Sequence, residues 1–199
     1  MILAMKARGF SLLELLCTVA ILAILTALIA GHGSASNDKK ARIACEKNLE
    51  KIYLAFRIYS GDNSGAFPDL NGASNSEPVL SLLIPRSTTA TEIFICPGSK
   101  DEPLPEGVSF ANGKISYAYY MGRTASDNAG LVLASDCQVN DSAKMTGQSL
   151  FSADGKKPGN NHGKTGGNLM LANGEIQFCA PIADRDLPLA GKVRLLNPR

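Results

Sequence analysis

The chemically capable residues of this 199-residue chain are five cysteines, two histidines and a few clustered carboxylates. Their spacing argues against most catalytic uses. The run Gly159-Asn160-Asn161-His162-Gly163-Lys164-Thr165 looks like a phosphate-cradling loop, but three residues separate Gly159 from Gly163-Lys164 where four are needed. A strand pattern, not a helix, follows it. His162 has no second histidine nearby, so a two-histidine metal site or a Cys–His pair would need distant partners; a turn or hydrogen-bonding role fits it better. Asp127, Asp136 and Asp141 offer the oxygen ligands that calcium prefers, without the ligand spacing of a calcium loop. No Ser/His/Asp triad, carboxylate pair or CxxC occurs. An enzyme is not expected, nor a resident cofactor.

One carboxylate stands apart. Glu14 is the single charge in residues 10–30, FSLLELLCTVAILAILTALIA, a run of 21 residues. As a helix this run is about 31 Å long, the thickness of a bilayer's hydrocarbon core. Roughly a dozen Leu, Ile, Val and Phe at about −0.3 to −0.6 kcal/mol each outweigh a cost of about +3 kcal/mol for a central carboxylate. The run is therefore expected to be a transmembrane helix. Lys6 and Arg8 precede it, and no Lys or Arg follows until Lys39. By the positive-inside rule the N-terminus stays cytoplasmic and the chain after the helix is exported. A secretory signal would have a shorter apolar core and would seldom carry a glutamate.

Without Lys6 and Arg8 the chain has 18 basic and 18 acidic residues. It lacks the basic excess that phosphate contacts demand, and with 6% aromatics and no Trp it has no stacking platform, so no nucleic-acid partner is expected. Hydrophobic residues at 45% provide a core. Ala41, Cys45, Leu49, Ile52, Phe56 and Tyr59 form one stripe of an amphipathic helix that Asn37 or Asp38 can cap and that Ser60-Gly61-Asp62-Asn63-Ser64-Gly65 stops. Together with the apolar run it suggests one long helix, membrane-embedded at its start and packed on a domain at its end. Residues 77–84 read as a short helix, and 92–96, 115–121, 130–136 and 168–180 as strands. Asn173-Gly174 is a preferred type I′ hairpin pair, which would set Leu171 opposite Ile176 and Leu169 opposite Phe178 on one face. The expected class is α+β, a long N-terminal helix packed on a small antiparallel β-sheet.

The residues around Glu14 carry a resemblance. Lys6-Ala7-Arg8-Gly9-Phe10-Ser11-Leu12-Leu13-Glu14-Leu15-Leu16 resembles the processing site of type IV prepilins and the pseudopilins of type II secretion. It implies that a prepilin peptidase cuts after Gly9 and methylates Phe10, making Glu14 the fifth residue of the mature chain. The physics is compatible: a carboxylate among leucines needs a cation, and the new α-ammonium of a neighbouring subunit's Phe10 would neutralise it and set the axial register. Gly31 and Gly33 stand where such helices often have a proline, and glycine also weakens a helix, by about 1 kcal/mol.

A second, weaker resemblance runs along the chain. Cys45, Asn48-Leu49, Ile52, Leu54-Ala55, Tyr59, Phe67-Pro68, Cys96-Pro97 and Ser116-Tyr117 are similar to a group of bacterial pilin-like proteins that often end in a His…Asp-Gly hairpin. Here His162 and Asn173-Gly174 would match it, with Asn in place of Asp. The likeness implies a Cys45–Cys96 disulfide. Cys137 and Cys179, each at or near a strand end, are then expected to form a second pair, while Cys17 is a plain apolar residue of the membrane helix. Sequence alone leaves three connectivities open, and four reduced thiols as well. Some pseudopilins bind calcium in a C-terminal loop, so calcium is the one cofactor the resemblance suggests.

The resemblance thus implies a type IV pilin-like fold and a structural subunit of an envelope filament, of type II secretion or type IV pilus type. The implied organisation is a cleaved leader at 1–9, a transmembrane helix at 10–30, a linker and amphipathic continuation at 31–60, and an exported globular domain at 61–199. Its partners would be the prepilin peptidase, other copies of itself, other pilin-like subunits and the cytoplasmic membrane. The competing class is a bitopic membrane protein that never polymerises and whose exported domain binds a ligand or surface.

Overall fold

The computed structural model describes residues 11–30, 33–102 and 104–199, with side chains described at 11–26, 38–102 and 104–199. The chain divides into two compact units, Met1–Lys39 and Lys40–Arg199. In the first unit, α1 (Leu12–Ala30) is made mostly of Leu, Ala, Ile and Val, with neither Gly nor Pro to break it. Its two threonines return their hydroxyls to the helix: Thr18 Oγ1 donates to Leu15 O at 2.8 Å and Thr26 Oγ1 to Ala23 O at 2.9 Å. No polar side chain but Glu14 is left to find an outside partner along the described helix. Among the described residues no helix is long and apolar enough to cross a membrane. The described side chains of α1 end at Thr26, which covers roughly 22 Å of helix.

The helix α2 (Gly33–Asp62) follows. Within the second unit its stripe is the buried one: Cys45, Leu49, Ile52 and Phe56 are wholly inaccessible, and Ala55 joins them. The helix stops where the sequence turns polar. Gly65 N–H donates to Ser60 O at 2.8 Å and the Asn63 amide to Tyr59 O at 2.8 Å, which satisfies carbonyls of the last turn. Ser64 and Gly65 both have positive φ there.

Five antiparallel strands complete the architecture: β1 (Tyr117–Met121), β2 (Val132–Asp136), β3 (Gly167–Leu171), β4 (Ile176–Cys179) and β5 (Arg194–Leu196), in the order β4-β3-β2-β1-β5. The protein is α+β. One face of the sheet packs on α2, where the Phe56 ring stacks on Tyr119 at 5.2 Å and meets Phe67 edge-on at 5.6 Å. The other face carries Tyr120, Leu169 and Leu171 against Leu150, Phe151 and Leu187 from the long connecting segments. Both faces are covered, so β1, β2 and β3 are buried at every position.

Four local expectations change. The β3–β4 connection is a three-residue loop, with Leu171 N–H donating to Glu175 O and Gly174 N–H to Leu171 O. Gly174 has φ +88° while Asn173 does not reach positive φ, so a type I′ pair is excluded. The one-residue shift puts Met170 opposite Ile176 and Asn168 opposite Phe178. Leu169 and Leu171 therefore face away from α2, while the Phe178 ring lies under the Arg42 guanidinium at 4.1 Å. Residues 92–96 do not form a strand: Thr91–Phe94 is a 3-10 turn whose Thr91 hydroxyl is held by Leu104 O and Pro105 O. The helix expected at 77–84 is shorter, α3 (Ser76–Leu80), followed by a 3-10 turn over Ser81–Leu83. Finally, β5 has no counterpart in the sequence reading; three residues carry too little periodicity to announce a strand.

Candidate functional site

Two places in the molecule carry groups that a stable fold alone does not require. The first is the start of α1. Gly9 and Phe10, the expected cleavage and methylation positions, lie outside the described residues. Glu14 sits in the first turn of α1, where the helix dipole favours a carboxylate. Around it the side chains are apolar and exposed, 82% for Leu12 and 63% for Leu16. Cys17 is exposed on the same helix with a free thiol.

The second place is buried in the second unit, where the fold brings together residues far apart in sequence. Cys45 comes from α2, Cys96 from the loop after the Thr91–Phe94 turn, Asp136 from the end of β2, and His162 from the turn before β3. A disulfide joins Cys45 to Cys96, with the Cα atoms 5.2 Å apart. His162 Nε2 is 3.6 Å from Cys96 Sγ and 3.1 Å from Asp136 Oδ2. Asp136 is held on both oxygens: the Asn161 amide donates to Oδ1 at 3.0 Å and the Asn168 N–H to Oδ2 at 2.7 Å. All four residues are buried, and their potential ligand atoms lie within 4.8 Å of one another, the arrangement that could hold a metal ion among the described residues.

Local structure explains the convergence. Tyr117 pairs with Asp136, placing the end of β2 beside the start of β1. Ser116 O then accepts from the Asn161 amide at 2.7 Å, which anchors the turn carrying His162. The Asn48 amide of α2 donates to Ile95 O at 2.9 Å and so ties the helix to the Cys96 loop. Gly98 completes the fit, because a Cβ at that position would stand 2.3 Å from Asn161 O and 2.8 Å from His162 Nδ1. Nδ1 itself is buried without a hydrogen-bond partner. Burial, and after it the negative charge of Asp136, pushes the neighbouring Tyr117 phenol well above its ordinary value.

The expected Cys137–Cys179 disulfide is not formed; both thiols are free. Cys179 pairs with Gly167 on β3, and β3 lies between β4 and β2, after which Cys137 follows. Two strand spacings come to roughly 9.5 Å, beyond the Cα separation a disulfide can span. Their positions at or near strand ends suggested a pair, but not the strand inserted between the two cysteines. Burial pushes the Cys137 thiol up to about 11.

The three acidic residues considered for calcium do not assemble. Asp127 accepts from the Thr124 N–H and hydroxyl beyond the far end of β1, while Asp136 belongs to the buried cluster at the near end. Beside Asp141, the carbonyls of Asn140 and Ser142 and the Asn140 side chain already receive the Lys144 ammonium, at 3.2, 2.6 and 2.6 Å. Segment 159–165 precedes β3, so no helix N-terminus is present there to bind phosphate.

Sequence reasoning set His162 aside because its partners would be distant, and they are: Cys96 lies 66 residues away and Asp136 lies 26 away. Only the Cys96-Pro97-Gly98 and Asn161-His162-Gly163 turns, each a polar or sulfur side chain beside glycine, hinted at close backbone approach.

Neither curated proteins nor solved structures match the chain. A family model, the prokaryotic N-terminal methylation motif, matches residues 4–30, the stretch containing Lys6, Arg8, Gly9, Phe10, Glu14 and the described part of α1. Such motifs occur in structural pilin-like subunits that a peptidase processes and methylates. This chain therefore carries the hallmark of type IV prepilin-like proteins at its N-terminus.

Proposed function

We propose that the protein is a structural subunit of an envelope filament of type IV pilus or type II secretion type, cut after Gly9 and N-methylated on Phe10. The observation that carries this reading is the methylation motif at 4–30, which includes a helix whose apolar side chains are exposed. Fifteen described positions of α1 present almost nothing but hydrocarbon and one carboxylate. Such a surface needs lipid before assembly and a bundle of like helices afterwards. The precursor would be a single-pass protein of the cytoplasmic membrane with residues after α1 exported, a placement with which a buried Cys45–Cys96 disulfide is compatible. Its pilin-like body would be displayed on the filament, and its partners would be the prepilin peptidase, its own copies and related subunits.

Within that filament Glu14 has a defined role. Cleavage would create an α-ammonium at Phe10, four residues before Glu14 in the sequence, and a neighbouring subunit's Glu14 can pair with it at the same membrane depth. Glu14→Ala, as the sole copy, should be inserted and processed like the wild type but fail to enter filaments, as sheared-filament fractions would show. Normal incorporation of that variant overturns the role.

A further inference from the structure

A disulfide accounts for two of the four groups in the buried cluster and makes no use of the other two. The side chains of Asp136 and His162 are each only 1% exposed, and burying a carboxylate and an imidazole is costly unless each gains a strong partner. Both nevertheless converge on the sulfurs. Around a tetrahedral metal with bonds of about 2.0–2.3 Å, adjacent ligand atoms stand roughly 3.3–3.8 Å apart. The 3.6 Å from Cys96 Sγ to His162 Nε2 falls within that range, and the 3.1 Å from His162 Nε2 to Asp136 Oδ2 is just below it. The outer hydrogen bonds from Asn161 and Asn168 to Asp136 are of the kind that orient a ligating carboxylate.

We infer that the chain with its thiols unoxidised holds one divalent metal ion of the zinc class at this cluster, through Sγ of Cys45 and Cys96, Nε2 of His162 and a carboxylate oxygen of Asp136. Two thiolates, an imidazole and a carboxylate form a donor set suited to zinc. Four protein ligands close the coordination sphere, so the ion is structural and leaves no position for a substrate. On binding, the ion displaces the two thiol protons to solvent and no electron moves. When an external disulfide-bearing thiol oxidant takes up two electrons and is itself reduced to its dithiol, Cys45 and Cys96 become the disulfide, both thiolates are lost and the ion is released. A polypeptide is synthesised with its cysteines as thiols, so the metal-bearing form comes before the bridged one. It would tie α2, the Cys96 loop, the end of β2 and the turn before β3 together before any disulfide exists. This site goes beyond the filament reading and stands whether or not the chain assembles.

The test uses the full chain purified in detergent, half kept reduced with a phosphine and half oxidised, with zinc or cobalt(II) as the only added probe. The reduced chain should take up one zinc, and X-ray absorption at the zinc edge should show two sulfur and two nitrogen or oxygen neighbours. Cobalt(II) should give sulfur-to-metal charge-transfer bands with the reduced chain and none with the oxidised one. His162→Ala and Asp136→Asn should each weaken zinc binding by at least about tenfold, since even the loss of an outer hydrogen bond to a ligand costs that much. A reduced wild-type chain that takes up no zinc overturns the site. So does a shell of sulfur alone or of light atoms alone, or binding indifferent to His162 and Asp136. Should either variant fail to fold, the shell around zinc in the wild type decides alone.

Discussion

Leu12 on α1 and Leu49 on α2 are the same residue type in the same kind of element, yet the first is 82% exposed and the second wholly buried. The contrast holds along both stretches. From Leu12 to Leu25 the large apolar side chains of α1 are exposed, while Cys45, Leu49, Ile52 and Phe56 lie against the sheet. The body's hydrophobic residues find their burial within the chain. Those of α1 find no such cover among the described residues, and this exposed stretch is the one that the prokaryotic N-terminal methylation motif at residues 4–30 spans.

The sharpest way to break this contrast is to truncate one side chain in each region. Phe56→Ala removes a buried ring stacked on Tyr119 and should cost about 3–5 kcal/mol of body stability in chemical denaturation followed by circular dichroism. Leu16→Ala, at 63% exposure, should leave the same transition within about 0.5 kcal/mol. Equal losses from the two would show that α1 contributes to the core. A smaller effect is expected where the body's buried cluster depends on a missing side chain. Gly98→Ala would drive a Cβ against the Asn161 carbonyl, a backbone atom that cannot turn aside, and should cost about 1–3 kcal/mol. An unchanged denaturation midpoint would mean that the Cys96 loop and the His162 turn are not in close contact.

The smallest effect concerns acid. Burial alone would raise the Asp101 carboxyl, but hydrogen bonds from Ser116, Lys114 and Ser99 and the Lys114 charge outweigh it and hold the group below its ordinary 3.8. The folded state therefore binds this proton less readily than the unfolded chain. The contribution is complete above pH 3.8 and is lost as pH falls through the depressed folded value. It should be worth less than about 1 kcal/mol, because Lys114 is half exposed. Asp101→Asn should lower stability at neutral pH and flatten the acid limb of the denaturation profile; an unaltered limb would remove the ion pair from the account.

What could be read from the sequence was what local spacing encodes. The stripe from Cys45 to Phe56 repeats every three or four residues, and β1, β2 and the two hairpin strands are short β-prone runs bounded by turns. The hairpin register was not legible, because Asn-Gly serves both a two-residue type I′ turn and a three-residue loop with glycine at positive φ. Met170 and Ile176 share the helix-facing side only in the second. Nor could a run such as Glu92-Ile93-Phe94-Ile95 separate a strand from a buried 3-10 turn, since in both the apolar groups are simply inside. The cluster of Cys45, Cys96, Asp136 and His162 was the least legible, because its members meet only through strand order and no local pattern ties them. The N-terminal segment is the reverse case. Gly9, Phe10 and Glu14 lie close together in the linear motif matched at residues 4–30, so the expectation for them needs no fold.

The central claim is that the chain is a processed prepilin-like subunit, and its most direct test is the mass and N-terminal sequence of the mature protein taken from membranes. The account predicts a chain that begins at Phe10, lacks Met1 through Gly9 and carries one added methyl group on its terminal nitrogen. A chain that still begins at Met1, or one cut near Gly31, would contradict it.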